Sequence, residues 1–371
     1  MTTDVVRSFK PDPKMMGRAL EEMQRHGFTT SAKGRVTASL RAKRRDYEKA
    51  FGTQLTRHEV STAPPEIRAK GGSATRSFYF PAEKAAWNPN PDIKSLIDDA
   101  YIQWPHTVLN QRFPVPPPSP LPPRVRYHHL RVPGDPAMLL NAARVHRRGF
   151  TGRGVRVAMI DTGFEHTHPY FTENGYTSAV TLAPGATHVN RDGSGHGTGE
   201  SANVFSLAPD ATFIGIKVDN ENDPSAGASV LEGFQEALNH NPQIITVSLA
   251  YDLVASGPTR PHLTTLPNSL VALETEIENA VADGIVVLFA AGNGHVAFPG
   301  MMPDVISVGG VFIGADGAMQ ASNYASSFNS RIYPGRSVPD VCGLVGMAQN
   351  SADYIMLPIP SGCEIDRGNA S

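Results

Sequence analysis

Three side chains of this 371-residue chain are of the types that a hydroxyl nucleophile needs to hydrolyse a peptide bond. That chemistry requires a base to take the hydroxyl proton, an acid to hold the base in one tautomer, and donors for the oxyanion that forms. Asp161 ends the apolar part of VRVAMIDTG, His196 sits within Asp192-Gly-Ser-Gly-His-Gly-Thr-Gly199, and Asn293 follows Ala290-Ala-Gly. Glycines beside all three allow close backbone approach. Taken singly, each has an ordinary explanation: an Asp at a strand end caps a turn, a lone His is commonly structural, and an Asn beside Gly is often a turn residue. The glycine-flanked His also invites a phosphate-binding reading, but no Lys-Ser/Thr ending follows it.

The element that must deliver Asp161 is a strand. Val155, Val157, Ala158, Met159 and Ile160 form a short apolar run after Gly152 and Gly154, the pattern of a strand buried on both faces. In parallel α/β sheets the carboxyl edge of the strands is where ligands and chemistry collect. From there strands and helices alternate. An edge strand ends near Val180 and Leu182, a helix runs from Gly197 to Phe205, and a strand follows over Thr212 to Val218. Next come a helix over Ser229 to Asn239, a strand over Ile244 to Leu249, a helix over Leu270 to Ala282, and strands over Ile285 to Ala290 and Val305 to Val308. This alternation predicts an α/β fold with a doubly wound, mostly parallel sheet.

Upstream, residues 1–105 read as a smaller α+β unit. The pattern predicts a strand at Val5 to Phe9, a helix over Pro13 to His26 stopped by Gly27, a short strand at Thr37 to Leu40, and a helix over Arg44 to Phe51 stopped by Gly52. A strand over Thr75 to Phe80 and a helix over Pro91 to Tyr101 complete it. Met15 and its apolar neighbours read as core. Residues 106–134 form a linker around the proline-rich run FPVPPPSPLPP, which suits an extended spacer better than an SH3-type ligand. Residues 135–371 carry the chemistry, opening with a helix over Asp135 to His146.

Bulk properties exclude little but point one way. A formal charge of −2 creates no field that would favour nucleic acid or an anionic membrane as partner. Two cysteines, Cys342 and Cys363, are too few for a disulfide-held scaffold, and both a thiol pair and an incidental disulfide remain open. No apolar run of the sequence is long enough to span a bilayer, and none of signal-peptide type follows the first charged residues, which favours a cytoplasmic protein.

With those residues in place, the chain resembles the subtilisin-like serine proteases over roughly residues 135–345. Asp161 lies in the match to Asp-Thr-Gly, His196 in the match to His-Gly-Thr, and Asn293 in Ala-Ala-Gly-Asn. Ser248-Leu249-Ala250 is similar to the substrate-lining Ser-Leu-Gly, with Ala250 in the last place; Ala208-Pro209 and Pro339-Asp340-Val341 match framework segments. The resemblance implies His196 as general base and then acid, Asp161 as its orienting carboxylate, and Asn293 as an oxyanion donor. It implies that Ser248 to Ala250 binds substrate as an added strand, that the Ala250 methyl narrows the primary pocket, and that no cofactor enters the chemistry.

The family's nucleophile lies in a Gly-Thr-Ser motif, and none follows Asp340. Ser361 and Ser371 lack the required neighbours. The expectation is a processed, two-chain endopeptidase whose nucleophile comes from a C-terminal companion chain. The alternatives are an inactive protease-like peptide-binding module and a truncated zymogen. Residues 1–105 then resemble the family's propeptide. Structural calcium is frequent in the family, but Asp219, Glu221 and Asp223 read better as a solvated acidic loop, and Glu165, His166 and His168 lack a further ligand for zinc.

Overall fold

The computed structural model describes residues 11–61, 75–81, 88–104, 106–108, 128–223, 226–255, 261–347 and 353–369. The first helix, α1 (Pro13–Arg25), begins where expected: the Asp12 side chain accepts from the Lys14 amide at 2.9 Å and Pro13 occupies the first turn. It is followed by strands β1 (Thr29–Lys33) and β2 (Ala38–Arg41), helix α2 (Arg44–Phe51), strands β3 (Leu55–Ser61) and β4 (Thr75–Pro81), and the short helix α3 (Pro91–Lys94). β1 pairs antiparallel with β2, and β3 with β4. Met23, Phe28, Ala50, Phe51 and Ile93 form the core of this unit. The helix expected over Pro91 to Tyr101 stops at Lys94; Ile97 and Ala100 still reach the same core from non-helical chain, so their spacing reported burial rather than helix. The strand expected at Val5 to Phe9 lies outside the described residues.

Both described ends of the expected linker are strand-paired. β5 (Thr107–Val108) joins β11 (Leu249–Asp252), and β6 (His128–Arg131) pairs with β19 (Asp353–Met356); the proline run between them lies outside the described residues. The helix expected over Asp135 to His146 is two helices, α4 (Gly134–Leu139) and α5 (Ala142–His146), broken where Asn141 adopts φ 61°, a left-handed conformation that no α-helix continues through.

The central sheet has eight strands among the described residues. In spatial order they are β8 (Ser178–Leu182), β9 (Thr212–Lys217), β7 (Arg156–Asp161), β10 (Ile244–Val247), β12 (Val286–Ala290) and β14 (Ile306–Ile313), all parallel. β18 (Val341–Leu344) adds to β14 in parallel and β15 (Met319–Ala321) adds antiparallel. Small pairings place β13 (Ala297–Phe298) on β11 and β16 (Phe328–Asn329) on β17 (Ser337–Val338). Alternate residues of β7 serve opposite faces: Ala158 and Ile160 pack with helices α8 (Val230–Leu238) and α9 (Asn268–Ala282), whereas Met159 packs with α6 (Pro169–Asn174) and α7 (His196–Leu207). Helices thus cover both faces, and the fold is the doubly wound α/β class expected. The strand expected over Ile244 to Leu249 ends at Val247; after Ser248 the chain leaves the central sheet and enters another as β11.

From β7 the chain moves outward to β8, returns to β9, then crosses to β10 on the other side of β7. Strand order therefore reverses between β7 and β10, and a crevice opens at their carboxyl ends.

Candidate active site

Asp161 is the last residue of β7, fully buried, and its Oδ1 accepts from His196 Nδ1 at 2.7 Å and from the Thr162 amide at 2.7 Å. His196 is the first residue of α7. Strand end and helix start approach this closely because glycine stands at both: a Cβ on Gly197 would collide with the Gly163 carbonyl and Asp161 Cβ, and Gly195 adopts φ 88° to enter the helix.

A second buried carboxylate clamps the two. Asp192 Oδ1 accepts from Thr162 Oγ1 at 3.0 Å and the Gly195 amide at 2.9 Å, while Oδ2 accepts from the Thr198 amide at 2.9 Å and Thr198 Oγ1 at 2.8 Å. One side chain thereby fixes the residue after Asp161 and the residues on both sides of His196, and satisfies helix-terminal amides that would otherwise be orphaned. In the sequence Asp192 stands only at the head of the glycine run that holds His196; its position four residues before that histidine, at the entrance of a glycine-rich helix start, was the available signal.

Burial works to lower the basicity of His196, but the Asp161 charge and hydrogen bond, helped by Glu200 and Asp192, outweigh it and raise the pKa to about 9. With Nδ1 committed to Asp161, the free nitrogen is Nε2, which has no hydrogen bond among the described residues. This is the tautomer that can accept a proton from a hydroxyl.

Asn293 lies beyond the carboxyl end of β12, half-buried, with its backbone N–H donating to His295 Nδ1 at 3.2 Å and an isolated antiparallel bridge to Ala325. It lines a cavity of about 420 Å³ with His262, His295, Tyr324 and Phe328. Ser248, Leu249 and Ala250 leave the end of β10, which lies between β7 and β12. Adjacent strands stand about 4.8 Å apart, so the ends of β7 and β12 are separated by roughly 10 Å with β10 between them, and Asn293 follows the end of β12 by three residues. Asp161, Ser248 and Asn293 therefore follow the carboxyl ends of neighbouring strands of the central sheet, Leu249 and Ala250 belong to the adjoining sheet, and the Asp161–His196 pair is joined by a direct hydrogen bond.

The other candidates have structural roles. His166 donates to or accepts from Ser201 Oγ at 2.9 Å among Phe164, Phe171, Phe205 and Phe213, and burial lowers its pKa to about 4; His168 Nδ1 caps α6 by accepting from the Tyr170 amide. Glu221 is held by Lys217, Arg191 and the Gly193 amide. No group of His, Cys, Asp and Glu among the described residues is arranged to hold a metal. Cys342 and Cys363 are free thiols, exposed and buried respectively. Ser361 sits in an exposed turn, and Ser371 lies outside the described residues. Among the described residues no helix is long and apolar enough to cross a membrane.

A switch-point crevice carrying a buried Asp–His pair is an arrangement that can activate a hydroxyl nucleophile, and the comparison with known proteins names its class. A profile of the Subtilase family matches residues 152–351, more than half of the chain, and the chain belongs to that family. Subtilisin E of Bacillus subtilis (strain 168) is 28% identical over 300 residues, covering 75% of this chain and 67% of that protein. Subtilisin of Bacillus pumilus is 30% identical over 207 residues, covering 52% of this chain and 66% of it. The chain thus matches about two thirds of the length of these relatives. Among solved structures, a lanthipeptide protease aligns with a TM-score of 0.47 at 19% identity, covering 62% of this chain and 67% of that one.

Proposed function

We propose that this chain supplies the acid, base and oxyanion donor of a serine endopeptidase, and that the nucleophilic serine is contributed by a companion segment bearing the Gly-Thr-Ser motif. The observation that carries the reading is the buried 2.7 Å contact between Asp161 and His196 Nδ1, which leaves Nε2 available at the sheet edge. In the reaction, Nε2 takes the serine proton as Oγ bonds to the peptide carbonyl carbon. The Asn293 side-chain amide donates to the resulting oxyanion. His196 then returns the proton to the leaving amine as the C–N bond breaks, and water repeats the cycle on the acyl-enzyme. The chemistry uses side chains and water alone.

Peptide is held as an added strand on Leu249 and Ala250. What supports this is that the chain itself uses that edge: Val108 pairs with Leu249 and Thr107 with Ala250, antiparallel. The same pairing favours the zymogen reading, in which the N-terminal unit caps the catalytic unit and its trailing strand occupies the substrate edge. The unit is docked by buried side chains of α8 and α9. Glu276 accepts from the Arg35, Val36 and Thr37 amides, Glu232 accepts from Ser31 Oγ and Arg41, and Gln235 bonds Ser39 and Thr37.

Fluorophosphonate labelling of the native assembly tests the proposal. The label is expected on a serine of the companion segment and is expected to vanish in His196→Ala. Absence of any labelled polypeptide once the N-terminal unit has been removed would refute the peptidase and leave a peptide-binding module.

A further inference from the structure

Residues 183–195, between β8 and α7, form neither helix nor strand, yet they deliver His196. Asp192 ties the end of this loop to Thr162 and to the first turn of α7. Those bonds orient the catalytic pair only if the loop itself is held against the sheet, and the side chain that reaches it from the sheet is Lys217.

Lys217 is the last residue of β9, stands in register with Asp161 at the end of β7, and is fully buried. Residues opposite each other in neighbouring strands point to the same face, so carboxylate and ammonium leave the sheet side by side. An ammonium has three N–H donors, and here they meet three oxygens: the His188 carbonyl at 3.2 Å, the Arg191 carbonyl at 2.7 Å and Glu221 Oε1 at 2.7 Å. Two of these oxygens belong to the loop. Glu221 returns to the loop as well, since its Oε1 also accepts from the Gly193 amide at 3.2 Å and its Oε2 lies 2.9 Å from Arg191 Nε. A buried charge stripped of such partners is costly, so the ammonium and the loop fix each other.

The Arg191 carbonyl is part of the peptide that leads into Asp192. It also lies against Gly163, where a Cβ would come within 2.6 Å of it. A shift of this carbonyl carries Asp192 with it, and Asp192 holds both Thr162, the neighbour of Asp161, and Thr198, two residues beyond His196.

We infer that Lys217 is a positioning residue for the Asp161–His196 pair, its ammonium acting as an internal cation that pins the Asp192 loop to the sheet edge. It hydrogen-bonds neither catalytic side chain and works through Arg191 and Asp192. The effect on turnover rests on the peptidase reading above; the effect on the pair itself does not.

The test therefore has two arms. Proton NMR of the full chain reads the low-field signal of the His196 Nδ1–H shared with Asp161, identified by its absence in His196→Ala. In Lys217→Met, which removes the ammonium and keeps an unbranched side chain, this signal is expected to shift or broaden. With the nucleophile-bearing segment present, kcat is expected to fall between about tenfold and 100-fold, the scale on which a small misplacement acts, with KM unchanged. Leu238→Ala, a core truncation at the far end of α8, controls for general destabilisation and should lower the unfolding temperature while leaving both readouts as they are. Should Lys217→Met not fold, Glu221→Gln, which keeps an acceptor of the same shape without its charge, should produce the same two changes to a smaller degree. An unmoved Nδ1–H signal in the folded variant, or changes no larger than those of Leu238→Ala, would overturn the inference. A shifted signal in a protein whose parent assembly cleaves no peptide and takes no label would overturn the peptidase reading and leave the positioning role standing.

Discussion

Glu276→Ala should release the N-terminal unit from the catalytic unit. Glu276 is fully buried in α9, and its carboxylate gathers one turn of the other unit: Oε1 accepts from the Val36 amide at 3.0 Å, the Thr37 amide at 2.7 Å and Thr37 Oγ1 at 2.7 Å, while Oε2 accepts from the Arg35 amide at 3.0 Å. Hydrogen bonds to a charged group contribute about 1.5–3 kcal/mol each, and an orphaned buried donor costs about 1–3 kcal/mol. These contributions are not additive, and contacts to Glu232, Gln235 and Asp283 survive the substitution. Even a loss equal to one or two such bonds, roughly 3 kcal/mol, weakens docking on the order of 100-fold. Amide hydrogen exchange read by mass spectrometry is the direct assay. Amides of β1 and β2 should lose about two decades of protection, whereas β7 and β9 in the same molecule should not change. Gly34→Ala should act in the same direction, because its Cβ would occupy the place of the Glu276 carboxylate. Protection of β1 and β2 within about threefold of the parent protein would refute the claim that this carboxylate holds the cap.

The remaining predictions concern the site. Because His196 is raised to about 9, the acid limb of kcat/KM against pH should fall well above 6.5; Asp161→Asn removes the largest of the raising influences, so it should move the limb to lower pH and reduce turnover by roughly 10⁴-fold. The sign for stability follows: the raised folded-state pKa makes the Asp161–His196 contribution complete below about 6.5 and lost as pH climbs through about 9, which thermal unfolding across that range should record. Asn293→Ala should lower turnover by a factor corresponding to about 3 kcal/mol with little change in unfolding temperature; equal turnover would remove it from the oxyanion site. Asp192→Asn replaces an acceptor facing two donors by a donor, so it should lower both stability, by about 2 kcal/mol, and kcat, with KM less affected.

How much of this was legible beforehand depended on the range of the interactions involved. α1 and α2 are set by local rules, an Asp-Pro start and a left-handed glycine stop at Gly52, and their extents were readable within a residue or so. β7 was readable because both its faces are buried, and glycines on either side of Asp161 and His196 marked a close approach. β1 and β3, Thr-Thr-Ser-Ala-Lys and Leu-Thr-Arg-His-Glu-Val-Ser, show no alternation of apolar residues; they are strands because β2 and β4 pair with them, and the sequence gives no local sign of that. The expected helix over Asp135 to His146 broke at Asn141 although its apolar spacing was helical, because one left-handed residue outweighs a favourable period.

Sequence alone carried the likeness to the subtilase family, because Asp161, His196 and Asn293, each with an ordinary explanation by itself, stand in three motifs in the family's order at the ends of strands and the start of a helix. Tertiary structure decided what surrounds them. The Asp192 clamp joins a turn to a helix start thirty residues away, the Glu276 latch joins segments separated by about 240 residues, and Ala297 meets Ala250 only through the pairing of β13 with β11. Such contacts leave no periodic trace in the chain, since their free energy comes from burial and complementary donors created only when distant segments close on one another.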